Sequence, residues 1–298
     1  MCALTQIKSA CRAGIFVVHG GSKAVGNTQP KPSMAITDTS SFVAERPSSV
    51  PARRRPLVLE PLHAAQTCAT CSARATSVCN AIEDKDLDRL ASTAVSIIVQ
   101  PGHGFIEEGD TAEHFFNVTS GTVKLFKLLP DGRRQITGFA GIGHFLGLAV
   151  STSYSFSAEA GDPVRICRFS RSKLRVLLDD FPAMEKRLLE VASNELVAAQ
   201  EQMLLLGRKT ARERLASFLM ARAGMQTHCG AETKPALREP VSLPMTRGDI
   251  ADYLGLTIET VSRTLTRLKA ERLIDVPNTT DVMLLDPRGL QSLATGLD

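Results

Sequence analysis

Two groups of residues in this chain have the types and spacing to do chemistry. The first is Cys68, Cys71 and Cys79, separated by two and then seven residues. Thiolates this close together suit a soft metal or reversible redox chemistry, although a C-x2-C pair by itself specifies neither. The chain holds seven cysteines, and Cys2, Cys11 and Cys229 have no neighbour at a metal-ligand spacing. The second group is Glu259, Ser262, Arg263, Thr266 and Arg267, whose steps of three and one place them on one face of a helix. Arg can donate two hydrogen bonds to guanine O6 and N7, Glu can accept from cytosine N4, and Ser or Thr can take either role. That is the chemistry of reading base edges in a major groove. No nucleophile elbow, phosphate loop, paired-carboxylate motif or His-metal motif occurs, so the residues point away from an enzyme.

The surrounding elements must hold the second group in place, and their signals are well defined. Thr246 followed by Asp249 is a short capping box that opens a helix carrying Ile250, Ala251 and Leu254 inward. Gly255 can take the positive φ of a tight inter-helix turn, and Thr257 then caps a second helix running to about Ala270. On that helix Val261, Leu265 and Leu268 form the apolar side, which leaves the five polar residues outward. Counted from Arg247, Ala251 is fifth, Gly255 ninth and Val261 fifteenth, the small–turn–branched order of a helix-turn-helix. Residues 274–276 and 282–285 read as a two-stranded wing.

Upstream, Leu189, Ala192, Leu196, Ala199, Met203 and Leu206 recur at steps of three and four. This heptad seam predicts a long helix that pairs in parallel with its copy, making the chain a homodimer. Before Pro182 the texture is short β-rich runs at residues 95–99, 114–118, 122–128, 134–139 and 164–169. They are divided by Gly-containing turns every ten to twelve residues, as in an antiparallel roll or sandwich. The first 60 or so residues are rich in Ser, Thr, Pro and Gly without apolar periodicity, which predicts disorder. Arg53, Arg54 and Arg55 within them read as a solvated charge run.

At 298 residues the chain has room for two ordinary domains. Its net charge of +4 lies mostly in the tail, where eight Lys or Arg face three Asp or Glu across residues 1–67, so bulk charge permits an anionic partner without arguing for one. The best apolar run, residues 13–18, is far short of a membrane span and too short for a signal peptide's apolar core. A cytoplasmic location with no membrane contact is expected, and in a reducing compartment the cysteines point to metal or redox chemistry rather than a disulfide framework.

Taken together, the roll with Gly102, Gly109 and Gly121, the heptad helix, residues 204–218 and the stretch 243–263 resemble the Crp–Fnr transcription regulators, and within them the Fnr type with its FixK- and FnrL-like relatives. The resemblance covers roughly residues 66–298, and its most specific motif is Glu259, Ser262 and Arg263. It implies an α+β chain divided into an extension (1–65), a cluster-ligand segment (66–82), an antiparallel β-roll sensor domain (83–182), a dimerisation helix (183–207) and a winged helix-turn-helix domain (208–298). It also implies a palindromic duplex of TTGAT and ATCAA half-sites as partner, with RNA polymerase as a second. In oxygen-sensing members three N-terminal cysteines and one on a roll strand hold a four-iron four-sulfur (4Fe-4S) cluster, and Cys68, Cys71, Cys79 and Cys167 match them. A cluster-free FixK-like regulator, a zinc site on the same four cysteines, or a haem site on His103, His114 or His144 are the alternatives. The sister branch binds cyclic nucleotide, but Leu148 stands where its ribose carboxylate would be and residues 153–158 contain no Arg for the phosphate.

Overall fold

The computed structural model describes residues 58–60, 68–148, 152–228 and 240–297, so Cys2, Cys11, Cys229 and the Arg53–Arg55 run lie outside the described residues. The β-rich half folds as an antiparallel roll of two sheets. One orders β1 (Val58–Glu60), β2 (Ala94–Val99), β9 (Val164–Ser170), β4 (His114–Ser120) and β7 (Phe145–Leu146) side by side; the other orders β3 (Gly104–Ile106), β8 (Ser157–Ala160), β5 (Val123–Leu128) and β6 (Arg134–Ala140). Ile97, Val99, Phe116, Val118, Val123, Val164 and Ile166 fill the space between them. At the β4–β5 turn Gly121 has φ +82°, and a Cβ there would lie 2.6 Å from the Pro163 carbonyl, so only glycine fits.

Two expectations need correction. The unstructured extension was expected to reach residue 65, yet Val58–Glu60 pair antiparallel with residues 96–98. Pro56 and Pro61 bracket this short strand, which closes the open edge of β2. The helical half was expected to begin at Pro182, but α2 (Arg171–Asp180) precedes it, with Leu174 and Leu177 buried three positions apart.

The outer face of the five-stranded sheet carries a second core. Along β9, Val164 and Ile166 point into the roll, while Cys167 and Phe169 point the other way. There they meet α1 (Leu87–Thr93), α2 and the start of α3 (Pro182–Arg208) through Leu87, Leu90, Leu174, Leu177 and Met184. The 27-residue α3, opened by Pro182 in its first turn, spans the expected dimerisation helix. Leu189, Leu196 and Met203 are 69%, 60% and 65% exposed on this single chain, and Ala192 and Ala199 are exposed between them. Leu206 differs, being half-buried against the chain's own C-terminal domain.

That domain comprises α4 (Ala211–His228), β10 (Val241–Ser242), α5 (Arg247–Leu254), α6 (Ile258–Ala270), β11 (Ile274–Asp275), β12 (Asp281–Leu284) and α7 (Pro287–Thr295). The wing is three-stranded rather than two-stranded, because β10 adds to β12. No helix among the described residues is long and apolar enough to cross a membrane.

Candidate nucleic-acid interface and cysteine chamber

The helix-turn-helix is built as its sequence dictates. Thr246 Oγ1 accepts from the Asp249 backbone N–H at 3.1 Å, and Asp249 Oδ2 accepts from the Thr246 N–H at 3.0 Å, closing the capping box at the start of α5. Gly255 ends α5 at φ 62°, ψ 43°, and Thr257 Oγ1 accepts from the Thr260 N–H to open α6. Val261, Thr264, Leu265 and Leu268 are buried. The Thr264 hydroxyl stays satisfied there by donating to the Thr260 carbonyl at 2.7 Å.

The five expected reading residues all lie on the exposed face of α6, but they are not equivalent. Glu259 sits in the first turn, where hydrogen bonds from its own backbone N–H and from Thr257 hold its carboxyl below the usual range. It is thus a pure acceptor. Ser262 and Arg263 stand beside it, with Arg263 Nη2 only 3.5 Å from Thr260 Oγ1. Thr266 donates its hydroxyl back to the Ser262 carbonyl, and Arg267 Nε donates to Glu271 Oε1 at 2.9 Å, with Arg212 on the other oxygen of the same carboxylate. The N-terminal half of the helix therefore presents available donors and acceptors, while Arg267 is drawn toward the last turn.

Sequence reasoning missed two residues that aim this surface. Arg214 in α4 donates Nη1 to the Leu254 carbonyl, Nη2 to the Leu206 carbonyl and Nε to the Lys209 carbonyl, all at 2.8–2.9 Å. One guanidinium thereby satisfies orphan carbonyls at the ends of both α3 and α5. Arg134 on β6 reaches from the roll to α5, donating Nη2 to Asp249 at 2.7 Å and Nε to Asp252 at 2.8 Å. Phe139, Phe218 and Tyr253 pack beside it with ring centroids 5.3–6.2 Å apart. Arg134 acts on partners more than a hundred residues away, and Arg214 ties carbonyls five and eight residues before it to one forty residues after it, so neither has a local sequence signature.

Asp249 belongs to both devices. Burial would raise its pKa, but the two Thr246 hydrogen bonds, Lys124 and Arg134 outweigh it and hold the carboxyl below the ordinary value of 3.8. A depressed folded-state pKa contributes stability that is present above 3.8 and lost as pH falls through the lower folded value. An Asp249→Asn chain should accordingly melt below the wild type at neutral pH, with the gap in Tm narrowing as pH drops below about 3.8. A gap that is constant with pH would show that the ionised carboxylate contributes nothing.

The cysteines come together as well. Cys68, Cys71, Cys79 and Cys167 line one cavity of about 20 Å³, walled by Leu87, Leu90, Ala94, Phe169, Arg74 and Asn117. Cys68 and Cys71 lie in consecutive turns, and Ser77 Oγ, fully buried, accepts from the Cys79 N–H and fixes the 3₁₀ turn Val78–Ala81. That turn and the preceding Thr76 rest on α3, where Arg187 Nη2 donates to the Thr76 carbonyl at 3.4 Å. Burial pushes the Cys79 thiol up to about 11 and, with its cysteine neighbours, Cys167 up to about 12. Any metal here must therefore displace protons.

Tetrahedral zinc at 2.3 Å from each sulfur needs sulfurs roughly 3.8 Å apart. Among the described residues no three His, Cys, Asp or Glu converge to hold a single ion. A four-iron cluster takes one thiolate per iron and spreads its ligands more widely, so four cysteines around one apolar chamber fit its chemistry. The chamber as it stands has room for about one water-sized sphere. The histidines have local roles: Nδ1 of His103 faces the Gln100 and Pro101 carbonyls, the His114 backbone bonds the Tyr154 hydroxyl, and Nδ1 of His144 bonds the Gly141 backbone.

The family described as "Crp-like helix-turn-helix domain" matches residues 213–293, and the "Cyclic nucleotide-binding domain" family matches residues 97–181. The transcriptional activatory protein AadR of Rhodopseudomonas palustris is 42% identical across 75% of this chain and 91% of its own length. The nitrogen fixation regulation protein FixK of Bradyrhizobium diazoefficiens is 39% identical across 76% and 93%, and the transcriptional activator protein FnrL of Cereibacter sphaeroides is 34% identical across 74% and 88%. The solved structure of FixK2 from Bradyrhizobium japonicum superposes with a TM-score of 0.61 at 34% identity, covering 67% of this chain and 96% of that one.

Proposed function

Because this chain belongs to the Crp–Fnr family of transcription regulators, which bind DNA and dimerise, we propose that it is an oxygen-responsive regulator whose dimer is controlled by an oxygen-labile 4Fe-4S cluster. The observation that carries this reading is the meeting of Cys68, Cys71, Cys79 and Cys167 in one chamber, with Cys68, Cys79 and Cys167 packed against the apolar cluster that includes Met184 of α3. When bound, the cluster supplies iron–thiolate bonds that survive without oxygen and are lost in air. The four thiolates would tie segment 68–82 to β9. The 3₁₀ turn Val78–Ala81 and the Thr76 carbonyl would transmit the position of that segment to α3 through Met184, Leu188, Val191 and Arg187.

From there the path is a single rigid element. α3 offers Leu189, Ala192, Leu196, Ala199 and Met203 to its copy, with Leu206 marking where the seam turns into the chain's own C-terminal domain. Arg214 then fixes the end of α3 to the turn of the helix-turn-helix. Changing how two α3 helices pair would thus change the spacing of two α6 helices, which a palindrome with half-sites about one helical turn apart detects. Target promoters would carry TTGAT and ATCAA half-sites, with RNA polymerase recruited by the bound dimer.

Direct readout provides the test. In anaerobic fluorescence anisotropy, Arg263→Ala should lose about 1–3 kcal/mol on the palindrome and discriminate less at the guanine, while a scrambled duplex binds both proteins alike. Equal affinities of wild type and variant for both duplexes would remove α6 as the reading element.

A second reading, a regulator of the same fold without a cluster, draws on the small volume of the chamber. It shares the DNA chemistry and differs only in iron content.

A further inference from the structure

Asn117 is a buried polar side chain whose carbonyl oxygen has no partner. It lies mid-strand on β4, 2% exposed, in a run whose neighbours Phe116 and Val118 are core residues. Its side chain is on the opposite face, lining the cysteine chamber, and its register partner on β9 is Cys167. Nδ2 is 3.9 Å from Cys79 Sγ, and Oδ1 is buried with no hydrogen-bond partner. A buried amide left half-satisfied is costly relative to an apolar residue of the same shape. The chamber's other polar wall residue is explained without any ligand, because Arg74 donates to the Ile82 carbonyl at 2.9 Å and pairs with Asp84 at 2.6 Å.

We propose that Asn117 is a positioning residue for the cluster, donating its amide N–H to the sulfur of Cys79 and setting the cluster's reduction potential. This inference rests on the cluster reading above. A cluster held by four thiolates is anionic, and one-electron reduction makes it more so, so a fixed N–H donor at a ligand sulfur favours the reduced form. Asn117 bridges the two parts of the site that the cluster joins: it is paired with Cys167 through the sheet and with Cys79 through its side chain. Leu has the same branching and number of side-chain heavy atoms as Asn, cannot donate, and would face Leu87 and Leu90 across the chamber.

The test uses full-length wild type, Asn117→Leu and Asn117→Ser, purified and reconstituted anaerobically with iron and sulfide, with dithionite supplying the electron in a potentiometric titration. The expected result is equal iron in wild type and Asn117→Leu, with a midpoint displaced to lower potential in the variant. At the potential where the wild type is half reduced, its oxidised-to-reduced ratio should rise about tenfold. Thermal stability of the apo form should move the other way, with Asn117→Leu at least as stable as wild type because the orphaned carbonyl is gone. A folded Asn117→Leu that loses its iron would overturn the assignment, since the amide would then be needed to retain the cluster rather than to set its potential. If that variant fails to fold, Asn117→Ser, which leaves a hydroxyl too short to reach Cys79, should show the same displacement. Unchanged midpoints in the folded variants would overturn the assignment, whereas a wild type without iron would overturn the cluster reading itself.

Discussion

A Leu196→Glu chain should behave as a folded monomer and bind the palindrome at least about a hundredfold more weakly than wild type, since a dimer's avidity over one half-site is roughly 10²–10⁴. Leu196 is at the centre of the seam and 60% exposed on the single chain, so the substitution removes nothing from the chain's own cores. In a parallel pair it faces its symmetry mate. Each Leu buried there contributes about 1.5–3 kcal/mol, counted twice by symmetry, and two carboxylates in its place would also be desolvated against each other. Sedimentation equilibrium with circular dichroism separates the outcomes. A variant that remains dimeric would place the interface elsewhere. Leu206→Glu should act differently, disturbing the C-terminal domain, because Leu206 Cδ2 packs at Gly255 in the helix-turn-helix turn.

What the sequence made legible follows from where the controlling interactions lie. The capping box, the αL glycine and the apolar side of α6 are set within a few residues of one another, and each stands where its spacing placed it. The long strands and α3 declared themselves by period. The strands β3, β7 and β8 span only two to four residues, too short for any alternation to show, and β1 is hidden between prolines in a polar tail. Arg134, Arg214 and Asn117 were invisible for a different reason. An Arg in an amphipathic helix or a β-hairpin reads as a solvated charge until the fold shows which carbonyls or carboxylates it meets. Asn117 did leave a trace, a polar residue within an apolar strand run, but its meaning depends on Cys79 and Cys167 arriving from 38 residues before and 50 after. The site was thus readable as residue types and only partly as a place.

The largest chemical effect should come from the cysteines. Four thiolates shared between segment 68–82 and β9 close a loop only while metal joins them, and a Ser in place of any one removes a soft ligand and opens that loop. Cys68→Ser, Cys71→Ser, Cys79→Ser and Cys167→Ser should each hold little iron and bind the palindrome as poorly as air-exposed wild type, with the roll still folded because its core lies on the other face of β9. Substitution of Cys2, Cys11 or Cys229 should leave iron and DNA affinity unchanged. The decisive measurement is iron and sulfide content, with absorbance near 400 nm and palindrome affinity, on anaerobic wild type and Cys167→Ser before and after air. About four irons and four sulfides per wild-type chain, lost in air together with affinity and absent from Cys167→Ser, is the expected result. A colourless wild type that holds no iron and binds DNA equally well before and after air would contradict it.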